Sequence, residues 1–195
     1  PLVFGNNDTP GVMLSSAAKE YMKVYGVLVG KKPLIFTNND SGYETAIEFK
    51  KNGVNPIILD TRSNPSSDII TEAKNLNIEI KFSYVVVAAK GYKKVKSADI
   101  AKISDDKKEL FNIENIECDC ICVSGFWTPS IHLASQSGNK SKFNEKIDAF
   151  VPDKSKQQEN TIGSANGIFT LEETIKDAFD KGCLLYTSPS PRDTI

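Results

Sequence analysis

The sequence predicts an α/β fold with a parallel core sheet. Three short apolar runs that can form buried strands alternate with segments whose apolar residues recur at helical spacing. This alternation is typical of parallel sheets covered by helices, because parallel neighbours need a long crossover connection. A strongly β-branched run with a predicted hairpin partner follows the alternating unit, so we also expect a small meander of strands.

The first predicted helix follows a short apolar run and a turn cluster within residues 2–11. Ser15 or Ser16 can cap this helix, because a serine hydroxyl can accept from a free N–H group of the first turn. The apolar residues of the helix recur three or four positions apart: Leu14, Ala18, Met22 and Tyr25.

The core alternation begins with an apolar strand at residues 33–37. Gly53 is a plausible C-cap for the helix that follows, and Asp68 can cap the next one. The predicted elements after the first strand are, in chain order, a helix at 41–52, a strand at 55–60, a helix at 68–76, strands at 78–82, 83–89, 93–103 and 116–123, and a last helix within 161–180. One face of the last helix carries its apolar residues: Leu171, Ile175, Ala178 and Phe179.

The composition narrows the classes of partner. The chain has 195 residues, of which 39% are hydrophobic, so it can bury a core and is not expected to be disordered. Its 24 basic residues nearly balance its 25 acidic ones, which gives no electrostatic footprint for a nucleic acid or an anionic membrane. No apolar run reaches the roughly 18 residues that a membrane helix needs. We therefore expect neither nucleic acid nor membrane as a partner.

Three cysteines alternate along one predicted strand. Cys118, Cys120 and Cys122 would line one face of that strand, because alternate strand residues point the same way. Zinc sites usually pair C-x2-C cysteines with a second pair, and this sequence has no such pair and only one histidine. The pattern favours buried thiols over a metal site, and reduced thiols suit a cytoplasmic protein.

The turn after the first core strand is the strongest candidate for chemistry. In dinucleotide-binding folds this turn uses glycines to bring the backbone close to a pyrophosphate, and here only Gly42 is a glycine. Asparagine and aspartate tolerate tight turns, and a helix start offers free N–H groups, but Asp40 puts a carboxylate where the phosphate would sit. Two interpretations stay open, a phosphate-binding turn or the cap of a structural helix. The residues concerned are Asn38, Asn39, Asp40 and Ser41.

Two further residues are candidates at single positions. Asp60 closes the second core strand, where a carboxylate can accept a hydrogen bond from a ribose hydroxyl, although strands also end in aspartate for purely structural reasons. His132 is the one possible imidazole base, but no nucleophile motif surrounds it, so a structural histidine is favoured. We predict no catalytic residue and no metal site in this chain.

Three segments together resemble the alpha subunits of heterotetrameric sarcosine oxidases. The third of them, at residues 118–140, is long and specific, and the likeness continues through residues 150–171 and covers residues 1–182 in all. The three segments are PLVFGNNDTPGVMLSSAAKEYMKVYGV at 1–27, IFTNNDSGYETA at 35–46 and CDCICVSGFWTPSIHLASQSGNK at 118–140.

The resemblance implies a Rossmann-like FAD/NAD(P)-binding fold of the two-dinucleotide-domain oxidoreductases related to thioredoxin reductase. In that group an outer nucleotide domain is interrupted by an inserted one and then resumes. Residues 1–13 would end the outer-domain crossover, 14–109 would form the inserted domain, and 110–182 the returning outer part. The first glycine-rich fingerprint would precede Pro1, so we expect a truncated chain. Residues 183–195 resemble translated sequencing adaptor, with a genuine tail as the alternative.

The resemblance also implies a function. The family demethylates sarcosine oxidatively to glycine, formaldehyde and hydrogen peroxide, an oxidation of a CH–NH donor with oxygen as acceptor. The alpha subunit is implied to bind NAD, to contribute to an FMN site, and to use tetrahydrofolate as co-substrate, with FAD on the partner subunit. The implied partners are beta, gamma and delta subunits, and the isolated chain should be inactive. The alternative is a non-catalytic α/β interaction module whose nucleotide site has decayed.

Two short motifs carry over residue by residue. Residues 124–129, SGFWTP, are similar to a Ser-Gly-Gly-Trp-Asn-Pro crossover of the family, with Phe126 in place of a glycine. This implies that Ser124 and Gly125 lie near a cofactor. Asn166 and Gly167 stand where reductase relatives place a Gly-Asp pair beside the cofactor. An asparagine there can bond a ribose or phosphate oxygen, and a plain turn is the alternative.

Overall fold

A parallel sheet lies at the centre of the first part of the chain. The computed structural model describes residues 2–104, 106, 108–155, 157 and 159–187, and the chain divides into two units, Pro1–Phe126 and Trp127–Ile195. The elements of the first unit are, in order, β1 (Val12–Leu14), α1 (Ser15–Val24), β2 (Pro33–Thr37), α2 (Ser41–Lys51), β3 (Ile57–Asp60), α3 (Asp68–Asn75), β4 (Glu79–Phe82), β5 (Tyr84–Lys90), β6 (Ser97–Ile103), β7 (Leu110–Glu117) and β8 (Cys120–Ser124).

The sheet has the strand order β1-β8-β2-β3-β4, and every neighbouring pair is parallel. All five residues of β2 are buried because both faces of the sheet are covered. Ile35 packs in a cluster with residues of α1, α2 and α3, whereas Leu34 and Phe36 pack with residues of β5 and β6. The predicted α/β fold with a parallel core sheet is confirmed, and it is the Rossmann-like arrangement.

A three-stranded antiparallel sheet covers the face opposite the helices. It has the order β5-β6-β7, so the predicted hairpin pairing of β5 and β6 is confirmed. Val95 precedes β6 and is fully buried in the cluster between the two sheets. The layers are therefore helices, parallel sheet and meander.

The predicted strand at 116–123 is wrong as a single element, because the chain changes sheets within it. Residues up to Glu117 belong to β7 of the meander, and β8 begins at Cys120 in the parallel sheet. Asp119 makes the transition: its carboxylate accepts from the backbone N–H groups of Lys31 and Lys32, both at 2.8 Å. The first compact unit ends at Phe126, since β7 and β8 complete its two sheets.

The change of sheet at Asp119 also decides which side of the parallel sheet each cysteine faces. Cys120 and Cys122 face the helices, with their sulfur atoms 3.5 Å apart, but Cys118 packs on the meander side. The expectation that all three thiols line one face is wrong for Cys118, because it precedes β8. Burial raises the pKa of the Cys118 thiol to about 12.

Helix boundaries agree with the predictions more closely than helix caps do. The N-cap of α1 is Leu14, so neither Ser15 nor Ser16 caps that helix. Asp68 is the first residue of α3, and Ser67 holds the cap position. Gly53 follows α2 with a φ of 77°, and its N–H group donates to the carbonyl of Lys50, as its predicted role after the helix requires.

The second unit contains smaller elements. They are α4 (His132–Gln136), the antiparallel strands β9 (Ser141–Asn144) and β10 (Ala149–Pro152), a 3-10 turn at Gly163–Asn166, and α5 (Leu171–Thr187). The predicted apolar face of α5 is exposed at three of its four residues: Leu171, Ile175 and Phe179. Helix α5 continues through Thr187, and the rest of the predicted tail lies outside the described residues.

Candidate functional site

The strand order places a topological switch point between β2 and β8. The chain runs outwards from β2 through β3 to β4 and then returns to β8 on the other side of β2. The carboxyl ends of β2 and β8 lie side by side at this point. In open α/β sheets, ligands bind in the crevice outside the carboxyl ends of the strands at a switch point. The predicted residues after β2 and at the end of β8 therefore meet at the position where this fold binds its ligands.

Asn39 ties these two strand ends together. Its Nδ2 donates to the carbonyl of Gly125 at 2.6 Å, and its Oδ1 accepts from the backbone N–H of Ser41 at 3.0 Å. The hydroxyl groups of Ser41 and Ser124 are 2.7 Å apart, and the N–H of Asn38 donates to the carbonyl of Ser124 at 3.3 Å. The structure thus brings five predicted residues into one hydrogen-bonded cluster.

Asn39, and not Asp40, caps helix α2. Asp40 holds the cap position, but its carboxylate makes no capping bond and lies instead 2.8 Å from Nη2 of Arg62. The side chain of Asn39 accepts from the first N–H group of the helix in its place. The predicted cap of α2 therefore exists, but the side chain of Asn39 supplies it and that of Asp40 does not.

Gly42 has a packing role. A Cβ atom at this position would lie 2.6 Å from both Cβ and Oγ1 of Thr37, so the close approach of α2 to β2 requires glycine. Counting back from Gly42, Thr37 and Asn39 occupy the first two glycine positions of a G-x-G-x-x-G motif, and Gly42 occupies the third. The third glycine of that motif serves helix–strand packing, and the second allows the backbone to approach a pyrophosphate.

Asp60 lies fully buried at the end of β3, and its carboxylate is saturated from within the chain. Its Oδ2 accepts from the hydroxyl of Tyr43 at 2.7 Å and from Nη2 of Arg62 at 2.8 Å. Its Oδ1 accepts from the backbone N–H of Arg62 at 2.9 Å and from Nε at 3.1 Å. Arg62 also bonds Asp40, so one guanidinium joins the two carboxylates that the sequence singles out.

The network shifts the pKa values of both partners of Asp60. Burial and the hydrogen bond to Asp60 raise the pKa of the Tyr43 phenol far above its ordinary value. Burial acts to lower the pKa of Arg62, but the bonds and charges of Asp60 and Asp40 outweigh it and raise the pKa. Tyr43 therefore stays neutral and Arg62 stays charged. Sequence reasoning missed both residues, although the rarity of arginine, with only Arg62 and Arg192 in the chain, was a usable signal for Arg62.

The turn does not fit a pyrophosphate in this arrangement. The N–H groups of Asn38, Asn39 and Ser41, which would face a phosphate, donate to the Ser124 carbonyl, to Thr37 Oγ1 and to Asn39 Oδ1. Two carboxylates and one guanidinium leave a local charge of -1, which disfavours an anion. The side chain of Asn39 also lies across the turn where the motif has a glycine.

Asn166 and Gly167 lie in the second unit. Gly167 has a φ of 82°, a left-handed conformation that favours glycine, and a Cβ there would lie 2.6 Å from Cδ1 of Ile147. Asn166 lines a polar cavity of about 180 Å³ together with Asp153 and Glu159. The glycine fits the turn interpretation, and Asn166 shares the cavity with polar residues.

His132 is the remaining candidate residue of the sequence analysis. His132 is exposed at the start of α4 and forms no side-chain hydrogen bond or ion pair with another described residue. Among the described residues, no cluster of three or more histidines, cysteines, aspartates or glutamates could hold a metal ion. Within the same ranges, no helix has both the length and the apolar character to cross a membrane.

Comparisons with known proteins give a consistent result. No protein-family model matches the chain. A sarcosine oxidase subunit alpha of Corynebacterium sp. (strain P-1) is 31% identical over 190 residues, which cover 96% of this chain and 19% of that protein. A sarcosine oxidase subunit alpha of Rhizobium meliloti (strain 1021) is 34% identical over 152 residues, covering 77% and 14%. The matched residues span about a fifth of the first relative's length and about a seventh of the second's.

Solved structures share the fold. The thioredoxin reductase of Lactococcus lactis superposes with a TM-score of 0.71 at 13% identity, covering 95% of this chain and 61% of that one. The T. acidophilum thioredoxin reductase gives a TM-score of 0.65 at 15% identity, covering 96% and 62%. At these identities the likeness shows the fold alone. Any inference about family rests on the relatives found by sequence.

Proposed function

We propose that this chain, which is homologous to one segment of the sarcosine oxidase alpha subunits, forms part of the alpha subunit of a sarcosine-oxidase-type flavoenzyme. The observation that carries the proposal is the match to a curated alpha subunit over 96% of the chain. In that enzyme, sarcosine, water and oxygen would give glycine, formaldehyde and hydrogen peroxide. A flavin would carry the redox chemistry, and this chain would supply scaffold and position.

The proposed assembly needs further components. The implied cofactors are NAD and FMN, with FAD on the partner subunit and tetrahydrofolate as co-substrate, and the implied partners are beta, gamma and delta subunits. The relatives' designation as subunits supports an assembly of several chains. The described residues contain no complete set of nucleophile, base and orienting group around His132, so we place the reaction outside this chain.

Within the chain, the proposed nucleotide-facing residues are the cluster at the switch point. Their convergence at the carboxyl ends of β2 and β8 supports this proposal. Asp60 would act indirectly there, by holding Tyr43 and Arg62, because its own oxygen atoms are already bonded. The proposed set is Asn38, Asn39, Asp40, Ser41, Asp60, Ser124 and Gly125, with Asn166 and Gly167 in the second unit.

The experiment is reconstitution. The complete alpha subunit that contains this segment, expressed with its partner subunits, should form hydrogen peroxide and formaldehyde on addition of sarcosine. The 195-residue chain alone should form neither product and should retain no flavin through gel filtration. An assembly that contains the complete subunit and its flavins but leaves sarcosine unoxidised would refute the proposal.

One observation favours a second candidate, a non-catalytic α/β module with a decayed nucleotide site. The donors of the turn and both oxygen atoms of Asp60 are satisfied from within the chain. Titration of NAD into the isolated chain separates the candidates, because the decayed site predicts no saturable binding. In the complete assembly, Asn166→Leu should weaken NAD binding if that residue contacts the nucleotide, and equal affinities would assign it to the turn alone.

A further inference from the structure

Four sulfur-bearing side chains meet on the helix side of the parallel sheet. Cys120 and Cys122 of β8 belong to the buried cluster that the helices cover, and so does Met22 of α1. Met13 of β1 packs against the same cluster. The sequence has only two methionines, so both of them lie here. We call these four residues the sulfur cluster. Thiols and thioethers are soft ligands, which sets this cluster apart from the hydroxyl, amide and carboxylate groups at the switch point.

The strand register brings Met13 beside the two cysteines. Met13 is the pairing partner of Cys122 across the parallel strands β1 and β8. Paired residues of neighbouring strands point to the same face of a sheet, and Cys120 points there too because it stands two positions before Cys122. The Sγ atoms of the two cysteines are 3.5 Å apart. Two sulfur atoms that each lie about 2.3 Å from one ion at a tetrahedral angle are about 3.8 Å apart, so a shift of about 0.3 Å would let both bind one ion.

A disulfide bond fits the same pair poorly. It would require the two sulfur atoms to come within about 2.05 Å of each other. Cys120 and Cys122 stand two positions apart on one strand, so their Cα atoms are about 6.4–6.8 Å apart, at the upper limit for a disulfide. The arrangement therefore favours an ion that bridges the two sulfur atoms over a bond between them.

The two thiols differ in how readily they ionise. The hydrogen bond with Cys122 lowers the pKa of the Cys120 thiol, although burial acts in the opposite direction. The same hydrogen bond, together with burial, raises the pKa of Cys122 well above its ordinary value. The pair can therefore give up one proton and hold one negative charge. A monovalent ion neutralises that charge, whereas a divalent ion would leave a net positive charge among apolar side chains, which is costly.

The sulfur cluster lies close to solvent at two places. Strand β1 is the edge strand of the sheet, and Met13 is only partly buried. Gly30, which is also partly exposed, lies directly against Cys120, since a Cβ atom on Gly30 would be 2.7 Å from the Cβ of Cys120. Residues 25–32 join α1 to β2 without helix or strand. A small movement of this loop would admit a single ion, which is far smaller than a thiol-modifying reagent.

We infer that the sulfur cluster binds a soft monovalent metal ion, Cu(I), with the sulfur atoms of Cys120 and Cys122 as ligands and the thioether of Met13 as a third. Thiolate and thioether ligands together select Cu(I). Binding forms a copper–sulfur bond at Cys120 and releases its thiol proton to solvent, and copper keeps its oxidation state. The expectation of no metal site rests on zinc-type ligand sets, which lack thioethers. The inference goes beyond the proposed flavoenzyme role and does not depend on sarcosine oxidation.

Competition for Cu(I) tests this inference. The parent protein is the 195-residue chain with Cys183→Ser, which removes the exposed thiol, and it is titrated anaerobically with Cu(I) against the chelator bathocuproine disulfonate. A single Cu(I) should bind per chain, and X-ray absorption at the copper edge should show sulfur ligands alone. Absence of stoichiometric binding would overturn the inference. So would nitrogen or oxygen ligands, or Zn(II) binding as tightly as Cu(I).

Variants of the same parent identify the ligands. Cys120→Ser and Cys122→Ser should each weaken Cu(I) binding at least about hundredfold, since even residues that only support a metal ligand contribute about 10–100-fold. Met13→Leu, which nearly preserves volume, should weaken it by about tenfold. Cys118→Ser is the matched control, because Cys118 is equally buried but packs on the meander side, and its affinity should equal that of the parent.

The variants can also refute the inference. Parental affinity in Cys120→Ser or Cys122→Ser would remove the cysteine pair from the site, and parental affinity in Met13→Leu would remove the thioether. Circular dichroism shows whether each variant keeps the fold of the parent. The absorption spectrum of the parent decides the ligand type even where a serine variant unfolds, because it requires no substitution within the sulfur cluster.

Discussion

Gly42→Ala should be among the most destabilising single substitutions in the first unit. The added methyl would lie 2.6 Å from Cβ and Oγ1 of Thr37 and 3.1 Å from Cγ2, well inside van der Waals contact. Thr37 cannot move aside easily, since it is fully buried and its Oγ1 bonds both the N–H and the carbonyl of Asn39. Helix α2 must therefore shift away from β2.

The expected cost follows from the behaviour of overpacked cores. Inserting a methyl into a close-packed site costs about 1–3 kcal/mol, and the rigid neighbour places this case at about 2–3 kcal/mol. Urea unfolding followed by circular dichroism measures the change. Gly182→Ala is the control, because Gly182 lies in α5 with no atom within 4 Å of the added methyl, and alanine there should be neutral or slightly stabilising.

A double variant identifies the cause. If the contact with Thr37 is responsible, Gly42→Ala combined with Thr37→Gly should cost less than the sum of the two single changes, because the second removes the atoms that the first would meet. Strict additivity would contradict the packing argument. A Gly42→Ala variant within about 0.5 kcal/mol of the wild type would refute it outright.

Three further outcomes are expected. Asn39→Ala should lower the free energy of unfolding, measured in urea, by about 1–3 kcal/mol, because it leaves its hydrogen-bond partners unsatisfied. Asn52→Ala is the control: it loses only local exposed bonds and should cost less than about 0.5 kcal/mol. Equal costs for the two variants would argue against the cluster around Asn39. Because the pKa of Tyr43 is raised, its phenol stays neutral in the folded chain where the unfolded chain ionises, so stability should fall as pH rises above 10.0, and Tyr43→Phe should reduce that slope. A thiol reagent should titrate only the exposed Cys183 in the folded chain and all four cysteines after unfolding, and rapid modification of a second thiol without unfolding would show that the buried cysteines are accessible.

The elements that follow a single local rule were predictable. The strand Pro33–Thr37 matches its prediction at both ends, because a short apolar run between a helix exit and a polar turn has one compatible structure. The run at 116–123 misled because β-branched and apolar residues continue across a change of sheet. Of the two acidic residues inside it, Glu117 and Asp119, it is Asp119 that marks the change, but its partners lie 87 and 88 positions away, at Lys32 and Lys31. The hairpin β9–β10 lacked clear alternation and was missed.

Part of the candidate site was also predictable from the sequence. Parallel strands end at one edge of the sheet, so the meeting of Asn39 with Ser124 and Gly125 follows from topology once the strands are assigned. The partners of Asp60 do not follow from spacing. The hydroxyl of Tyr43 reaches it across 17 positions, from a helix that faces the same edge, and no local pattern encodes such a contact.

The bonds of Asp60 constrain how a nucleotide could use this edge of the sheet. A ribose that bonded Asp60 directly would have to displace Arg62, and breaking a buried ion pair by removing one partner costs about 3–5 kcal/mol. Two ribose hydroxyls cannot replace the charge and the several donors that would be lost. Binding by that route would be weakened by about two to four orders of magnitude. A ligand that leaves the pair intact avoids this cost. The carboxylate that this fold commonly offers to a ribose therefore holds Arg62 in place here.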